Sequence, residues 1–288
     1  MDARKKLSVL QAEWERCVAC DLGKYRQAEG GAFVFGEGLP RGVMFVGEGP
    51  GWIEEREGRP FIGKSGALLR KIIDKVQVSP CYLTNVVTCR SCQPATDALG
   101  NPLLVTRGGK QMVRMADQVP PPQAVAACMP RLQEEIYLVD PIVIVTLGVA
   151  ATSALTGRPF AITKERGEPL HISIPGAGFR PVLTEKKGVW RRKVHGEMVM
   201  PSEPNQVRYL VIPTLHPAFV LRNLGDQGAK SDSRKLISDI VFAKRIFERY
   251  QQELRQDTLP SFPDPVDDDE IERISNDLTW EQEHDYDS

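Results

Sequence analysis

Residues 43–69 read VMFVGEGPGWIEEREGRPFIGKSGALL. The apolar run at 43–47 stops in a turn made of Gly49, Pro50 and Gly51, and a helix-like pattern, ALLRKIID, follows from Ala67. A short apolar run bounded by turn residues reads as a strand. A glycine-rich turn between strand and helix lets backbone N–H groups face an anion or an electron-rich ring at close range. Similar runs recur at 82–87 (YLTNVV), 142–147 (IVIVTL) and 209–214 (YLVIPT). Helix patterns lie at 66–76, 123–139 and 148–155, and a long charged one follows Ser231. The alternation predicts an α/β fold of three layers, α/β/α, around a central, mostly parallel four-stranded sheet. In open sheets of this kind ligands bind beyond the carboxyl ends of the strands, so the turns GEGPG, TNVVTC, TLG and TLHPA are where a site is expected.

Two stretches break the rhythm, at about 93–122 and 168–207; both are rich in Pro and Gly and read as irregular insertions, the second with a small hairpin around 186–200. Residues 1–256 are expected to form one domain carrying these insertions. The 257–288 tail holds twelve acidic residues and one basic, Arg273, so the net charge of −1 conceals a body with 36 basic against 26 acidic residues. A basic body suits a polyanion such as nucleic acid, and the tail is expected to be a disordered, solubilising terminus or a docking peptide for a protein partner. With 41% hydrophobic residues, no run long enough to span a bilayer and no signal-peptide core at the start, a cytoplasmic monomer with no membrane contact is expected.

Nucleotide chemistry is not expected: the GxGxxG pattern fails, and GKSG at 63–66 lacks a glycine at the position a P-loop requires. Six cysteines, at 17, 20, 81, 89, 92 and 128, all lie in the first half, which argues for a local site. Cys17-x-x-Cys20 with Cys89-x-x-Cys92 has the form of a tetrahedral zinc site.

Five segments in order, GEGPG, GRPFIGKSGALL, YLTNVVTC, PIVIVTLGVAA and TLHPAFVLR, resemble the iron–sulfur uracil-DNA glycosylases known as family 4, across about residues 16–223. The resemblance implies hydrolysis of uracil from DNA, with uracil-containing DNA as the partner; a non-catalytic DNA-binding module and a glycosylase for another damaged base are the alternatives. Phe61 matches the aromatic that stacks on the extruded base, although alone it would also suit a core position. Asn85 matches the amide that reads the uracil edge, and His216 the donor to O2 as negative charge grows there. Gly47, Glu48 and Gly49 match the first motif. The family usually has alanine where Gly49 stands, which leaves Glu48 and Glu54 as candidates to position water; Glu54 is also a candidate to crowd the C5 position against thymine. Leu221 or Arg222 would wedge the duplex, with Arg166, Lys164 and the WRRK segment at 190–193 as phosphate contacts. The same resemblance implies a [4Fe–4S] cluster, with zinc the alternative, on Cys17, Cys20, Cys89 and Cys128. Cys92 is a rival ligand and Cys81 a buried apolar thiol.

Overall fold

The computed structural model describes residues 2–107, 109–175, 206–223, 227–256, 263–264 and 266–278. The strands are β1 (Glu37–Gly38), β2 (Val43–Gly47), β3 (Cys81–Asn85), β4 (Cys92–Pro94), β5 (Leu104–Arg107), β6 (Lys110–Val113), β7 (Met115–Asp117), β8 (Val143–Leu147), β9 (Leu170–Pro175) and β10 (Gln206–Thr214). The helices are α1 (Ala3–Trp14), α2 (Asp21–Glu29), α3 (Trp52–Glu57), α4 (Lys64–Val76), α5 (Pro122–Val139), α6 (Gly148–Thr156), α7 (Ile162–Glu165), α8 (Pro217–Arg222), α9 (Gln227–Gln256) and α10 (Asp268–Asp277).

The central sheet runs β1-β3-β2-β8-β10-β9. Its inner four strands are mutually parallel and are the four expected from the apolar runs. Side chains alternate across the sheet with the two-residue period of a strand. Val43 and Phe45 enter one core with α4 and α9, and Met44 and Val46 enter the other with α1 and α5. All four are at most 1% exposed, so β2 is buried on both faces and the three layers follow. On α4, Leu68, Leu69, Ile72, Ile73 and Val76 fall on one stripe at helical spacing and close the first core. Each such side chain contributes about 1.5–3 kcal/mol by leaving water.

The structure differs from the sequence expectation at three places. The four-stranded sheet gains an antiparallel strand at each edge, β1 on β3 and β9 on β10. β9 comes from the segment read as the second insertion; Ile172 and Ile174 point into the core, an alternation obscured by the Pro- and Gly-rich residues after it. The first insertion is ordered as two antiparallel ladders, β4 with β7 and β5 with β6. The tail is not disordered throughout. Ile271, Ile274 and Leu278 recur at helical spacing within the charge run, and Ile271 and Leu278 are buried against the α4–α9 core. Asp267 caps α10 by accepting from the Asp269 N–H at 2.9 Å, and acidic groups of the helix pair with Lys75, Arg234 and Arg245. The hairpin at 186–200, WRRK, His195, His284 and the tail ends at 257–262 and 279–288 lie outside the described residues. Among the described residues no helix is long and apolar enough to cross a membrane.

Ile271→Ala is expected to lower unfolding free energy by about 2–4 kcal/mol in urea titrations. An unchanged midpoint would mean that α10 does not dock.

Candidate active site

Parallel pairing sets Gly47 beside Asn85 at the ends of β2 and β3. Beyond the sheet the two turns stay zipped: the Val86 N–H donates to the Gly47 carbonyl at 2.8 Å and the Val87 N–H to the Glu48 carbonyl at 3.2 Å. A Cβ on Gly47 would lie 2.4 Å from Asn85 Oδ1 and 2.6 Å from Phe61 Cζ, so only glycine lets the ring and the carboxamide meet over this backbone. Phe61 is 6% exposed and Asn85 3%, which makes the meeting point a dry one.

Phe61 has φ +55°, a left-handed conformation costly for a bulky residue, and charged groups clamp it from both sides. Glu54, from α3, accepts from the Ile62 N–H at 3.0 Å, the Gly63 N–H at 2.7 Å and the Gly51 N–H at 3.2 Å. Arg70, from α4, donates to the carbonyls of Phe61 and Pro60, each at 2.8 Å, and pairs with Glu37. Glu54 was expected to position water or exclude a C5 methyl; its carboxylate is instead spent on backbone amides and shapes the Phe61 loop. A Cβ on Gly49 would lie 2.8 Å from the Val87 Cγ2 methyl, which would have to shift, and 3.7 Å, an ordinary contact, from Pro120 at the end of the first insertion.

His216 stands where β10 gives way to α8. Its Nδ1 accepts from the Ala218 N–H at 3.1 Å, which leaves the neutral ring's proton on Nε2. Burial, followed by the nearby Arg222 charge, brings its pKa down to about 4, so the ring is neutral at pH 7. Gly148, after β8, backs the ring closely; its own φ is +85°. Two residues before His216, Thr214 donates to Asp239 Oδ2 at 2.6 Å, and Asp239 pairs with Arg166 at 2.6 Å. Burial outweighs these partners and pushes the Asp239 carboxyl up to about 6. Arg166 was expected on DNA phosphate; its guanidinium is instead turned onto Asp239 and the Lys235 carbonyl. Leu221 packs half-buried against the α4–α9 core, whereas Arg222 is exposed. The Arg222 charge acts on both His216 and Glu48; the latter's carboxyl is raised by burial and lowered by Arg222.

Cys17 and Cys20 directly precede α2, Cys89 follows β3, and Cys128 lies on α5. Cys89 and Cys128 are buried, Cys17 and Cys20 half-buried, and Cys20 packs on the same core as Cys128. Arg26, 4% exposed, lies among them: its Nη2 donates to the Cys17 carbonyl at 3.4 Å, and its charge acts on the Cys89 thiol. Burial raises the Cys89 thiol, with Arg26 opposing and Cys128 adding to the rise. The charged groups acting on Cys92 are Arg90, Glu55 and Asp117. Cys81 is half-buried at the opposite end of β3. Among the described residues no three Cys, His or carboxylate side chains already stand as a metal-holding group. The donor set nevertheless fits one: the buried Arg26 Nε has no hydrogen-bond partner, and thiolates around a metal would supply the negative charge this guanidinium lacks.

Glu37, Arg70, Gly148 and Asp239, which hold the site, were not singled out from sequence. The same is true of Arg131 and Glu135, although an opposite-charge pair on the apolar stripe of α5 was a visible signal.

The family model described as the uracil DNA glycosylase superfamily matches residues 35–240. A type-4 uracil-DNA glycosylase of Thermotoga maritima is 29% identical, over 84% of this chain and 95% of its own length. One from Sulfurisphaera tokodaii is 30% identical over 77% and 78%. One from Saccharolobus solfataricus is 30% identical over 75% and 78%.

Glu54→Ala strands three amides, the Gly63 one buried and the other two partly buried, and is expected to cost about 3 kcal/mol, read by thermal or urea unfolding. A folded-state pKa of about 4 for His216, below its unfolded 6.5, means that stability is complete above about 6.5 and is lost as pH falls towards 4. The loss is on the order of 3 kcal/mol. Asp239 shifts the other way over part of this range, so the measurement is the difference between the protein and His216→Asn, which should close as pH falls.

Proposed function

The chain belongs to the uracil-DNA glycosylase superfamily, and on that footing we infer that it hydrolyses the N-glycosidic bond of uracil in DNA, leaving an abasic site for base excision repair. The observation that carries this reading is the dry meeting of Phe61 and Asn85 over Gly47, with a neutral, Nε2-protonated histidine at a nearby strand end.

An extruded uracil lies on the Phe61 ring, and the Asn85 amide donates to O4 and accepts from N3–H. Cytosine inverts that pattern and leaves both partners unpaired in a buried site. As the C1′–N1 bond breaks, its electron pair passes to the base and charge collects on O2, where His216 Nε2–H donates. Burial makes that donor worth more than it would be in water. Glu48 accepts from the attacking water; the water oxygen bonds to C1′, and its proton passes through the carboxylate to the departing uracil. Arg222 grips phosphate beside the extruded nucleotide, and Leu221 anchors the helix that carries it.

Cys17, Cys20, Cys89 and Cys128 would hold a [4Fe–4S] cluster, with zinc as the alternative; the unpaired Arg26 Nε supports an anionic thiolate site. Held there, such a group would cross-link α2 and α5 to the turn after β3; the hydrolysis itself needs no electron transfer.

Single- and double-stranded oligonucleotides carrying one uracil should acquire alkali-sensitive abasic sites, and His216→Ala should lower the rate about 10²–10³-fold. Protein that binds these oligonucleotides without cutting them overturns the reading. Cys128→Ser should abolish the broad visible absorption of a cluster while Cys92→Ser retains it; colourless protein with stoichiometric zinc, purified anaerobically, would decide for the alternative.

A further inference from the structure

Among the described residues Arg131 is the largest fully buried side chain, and it reaches the strand end that bears Asn85. Its Nη2 donates to the carbonyl of Asn85 at 2.8 Å and to that of Val86 at 2.6 Å. Its Nη1 pairs with Glu135, one turn further along α5, and lies 3.4 Å from Thr84 Oγ1. Glu135 in turn accepts from the Tyr82 hydroxyl at 2.8 Å and from Thr84 Oγ1 at 3.0 Å. Both charges are fully buried.

The two carbonyls belong to the residues where β3 leaves the sheet. The next two N–H groups are taken by Gly47 and Glu48 on the neighbouring turn. The two peptide planes that flank Val86, Asn85–Val86 and Val86–Val87, are thereby held from two directions, by the β2 turn and by the guanidinium. Tyr82 and Thr84, on the same strand as Asn85, are tied to the same ion pair. A core needing only apolar filling at this position has no use for a desolvated ion pair, which replacement by apolar groups often matches in stability.

We propose that Arg131 is a positioning residue for uracil recognition: by fixing the Asn85 and Val86 carbonyls it sets the orientation from which the Asn85 amide reads the base. This rests on the reading of Asn85 as the base-reading group. Glu135 holds the guanidinium in register, and α5 carries the bracket. The arrangement fixes direction as well as place, because a planar guanidinium reaching two consecutive carbonyls with one nitrogen constrains how the two peptide planes are turned about Val86.

The test is a double-mutant cycle on the full chain. Arg131→Met combined with Glu135→Gln removes both charges while keeping volume, and Arg131→Lys keeps the positive charge without the fork. Each is measured with and without Asn85→Ala, for single-turnover excision from a uracil oligonucleotide and for binding of an uncleavable 2′-fluoro-deoxyuridine oligonucleotide. A displacement of the reading group of about 1 Å costs about 100-fold in rate. The expected result is a loss of that order in the Arg131 variants. Asn85→Ala should add less than tenfold in those backgrounds although it costs far more in the parent. Binding of the uncleavable oligonucleotide should weaken together with the rate. Full additivity with Asn85→Ala, or parental excision by the Arg131→Met/Glu135→Gln protein, overturns the proposal. If that double variant does not fold, the Arg131→Lys cycle decides in the same way. A parent protein that leaves uracil DNA intact removes the functional reading itself, and with it this proposal; an active parent with additive variants removes the proposal alone.

Discussion

The site depends on a contact made possible by a missing side chain. At Gly47 two parallel strands end in register, and the absence of a Cβ brings an aromatic ring and a carboxamide to the same spot of backbone. The four buried parallel strands are what hold that spot still. Their shared register puts the turns after β2 and β3 side by side, with β8 and β10 presenting Gly148 and His216 next along the sheet.

Around that contact the protein places charge where apolar packing would ordinarily serve. Glu54 collects two amides of the Phe61 loop and the Gly51 amide before α3, and Arg70 holds that loop's carbonyls. Asp239 with Arg166 braces the strand leading to His216, while Arg131 with Glu135 braces the one bearing Asn85. Burying such groups costs desolvation free energy, offset to the extent that each is hydrogen-bonded; of these groups, Arg131 keeps one buried nitrogen, Nε, without a hydrogen-bond partner. The gain is directional: a carboxylate or guanidinium fixes the orientation of peptide planes, which dispersion contacts between methyl groups do not.

Much of the frame was legible in the sequence, because apolar runs bounded by turns and stripes at helical spacing are local patterns. The strands at 43–47, 143–147 and 206–214 and the helices at 64–76 and 122–139 lie close to where those patterns put them. The edge strand β9 was hidden because its pairing with β10 spans residues distant in sequence. Glu54 and Arg166 were assigned to substrate on their proximity to motifs, and whether a charged side chain turns inward is decided by partners elsewhere in the chain. For Glu54 these are the amides of Ile62 and Gly63, and for Arg166 the carboxylate of Asp239. α10 was misjudged because composition outweighed periodicity: three apolar residues at helical spacing suffice to dock a helix that is otherwise mostly charged.

α10 also redistributes the molecule's field. Its carboxylates neutralise Lys75, Arg234 and Arg245 on the α4–α9 flank, so that part of the body's basic excess is discharged within the chain. DNA approaching that flank meets a surface of mixed sign, whereas Arg222 at the strand ends remains uncovered. Because attraction to a polyanion grows with the number of free cations facing it, each of these pairs lowers the pull of the α4–α9 flank on phosphate. An acidic terminus that looked like a solubilising appendage thus redistributes charge within the fold itself.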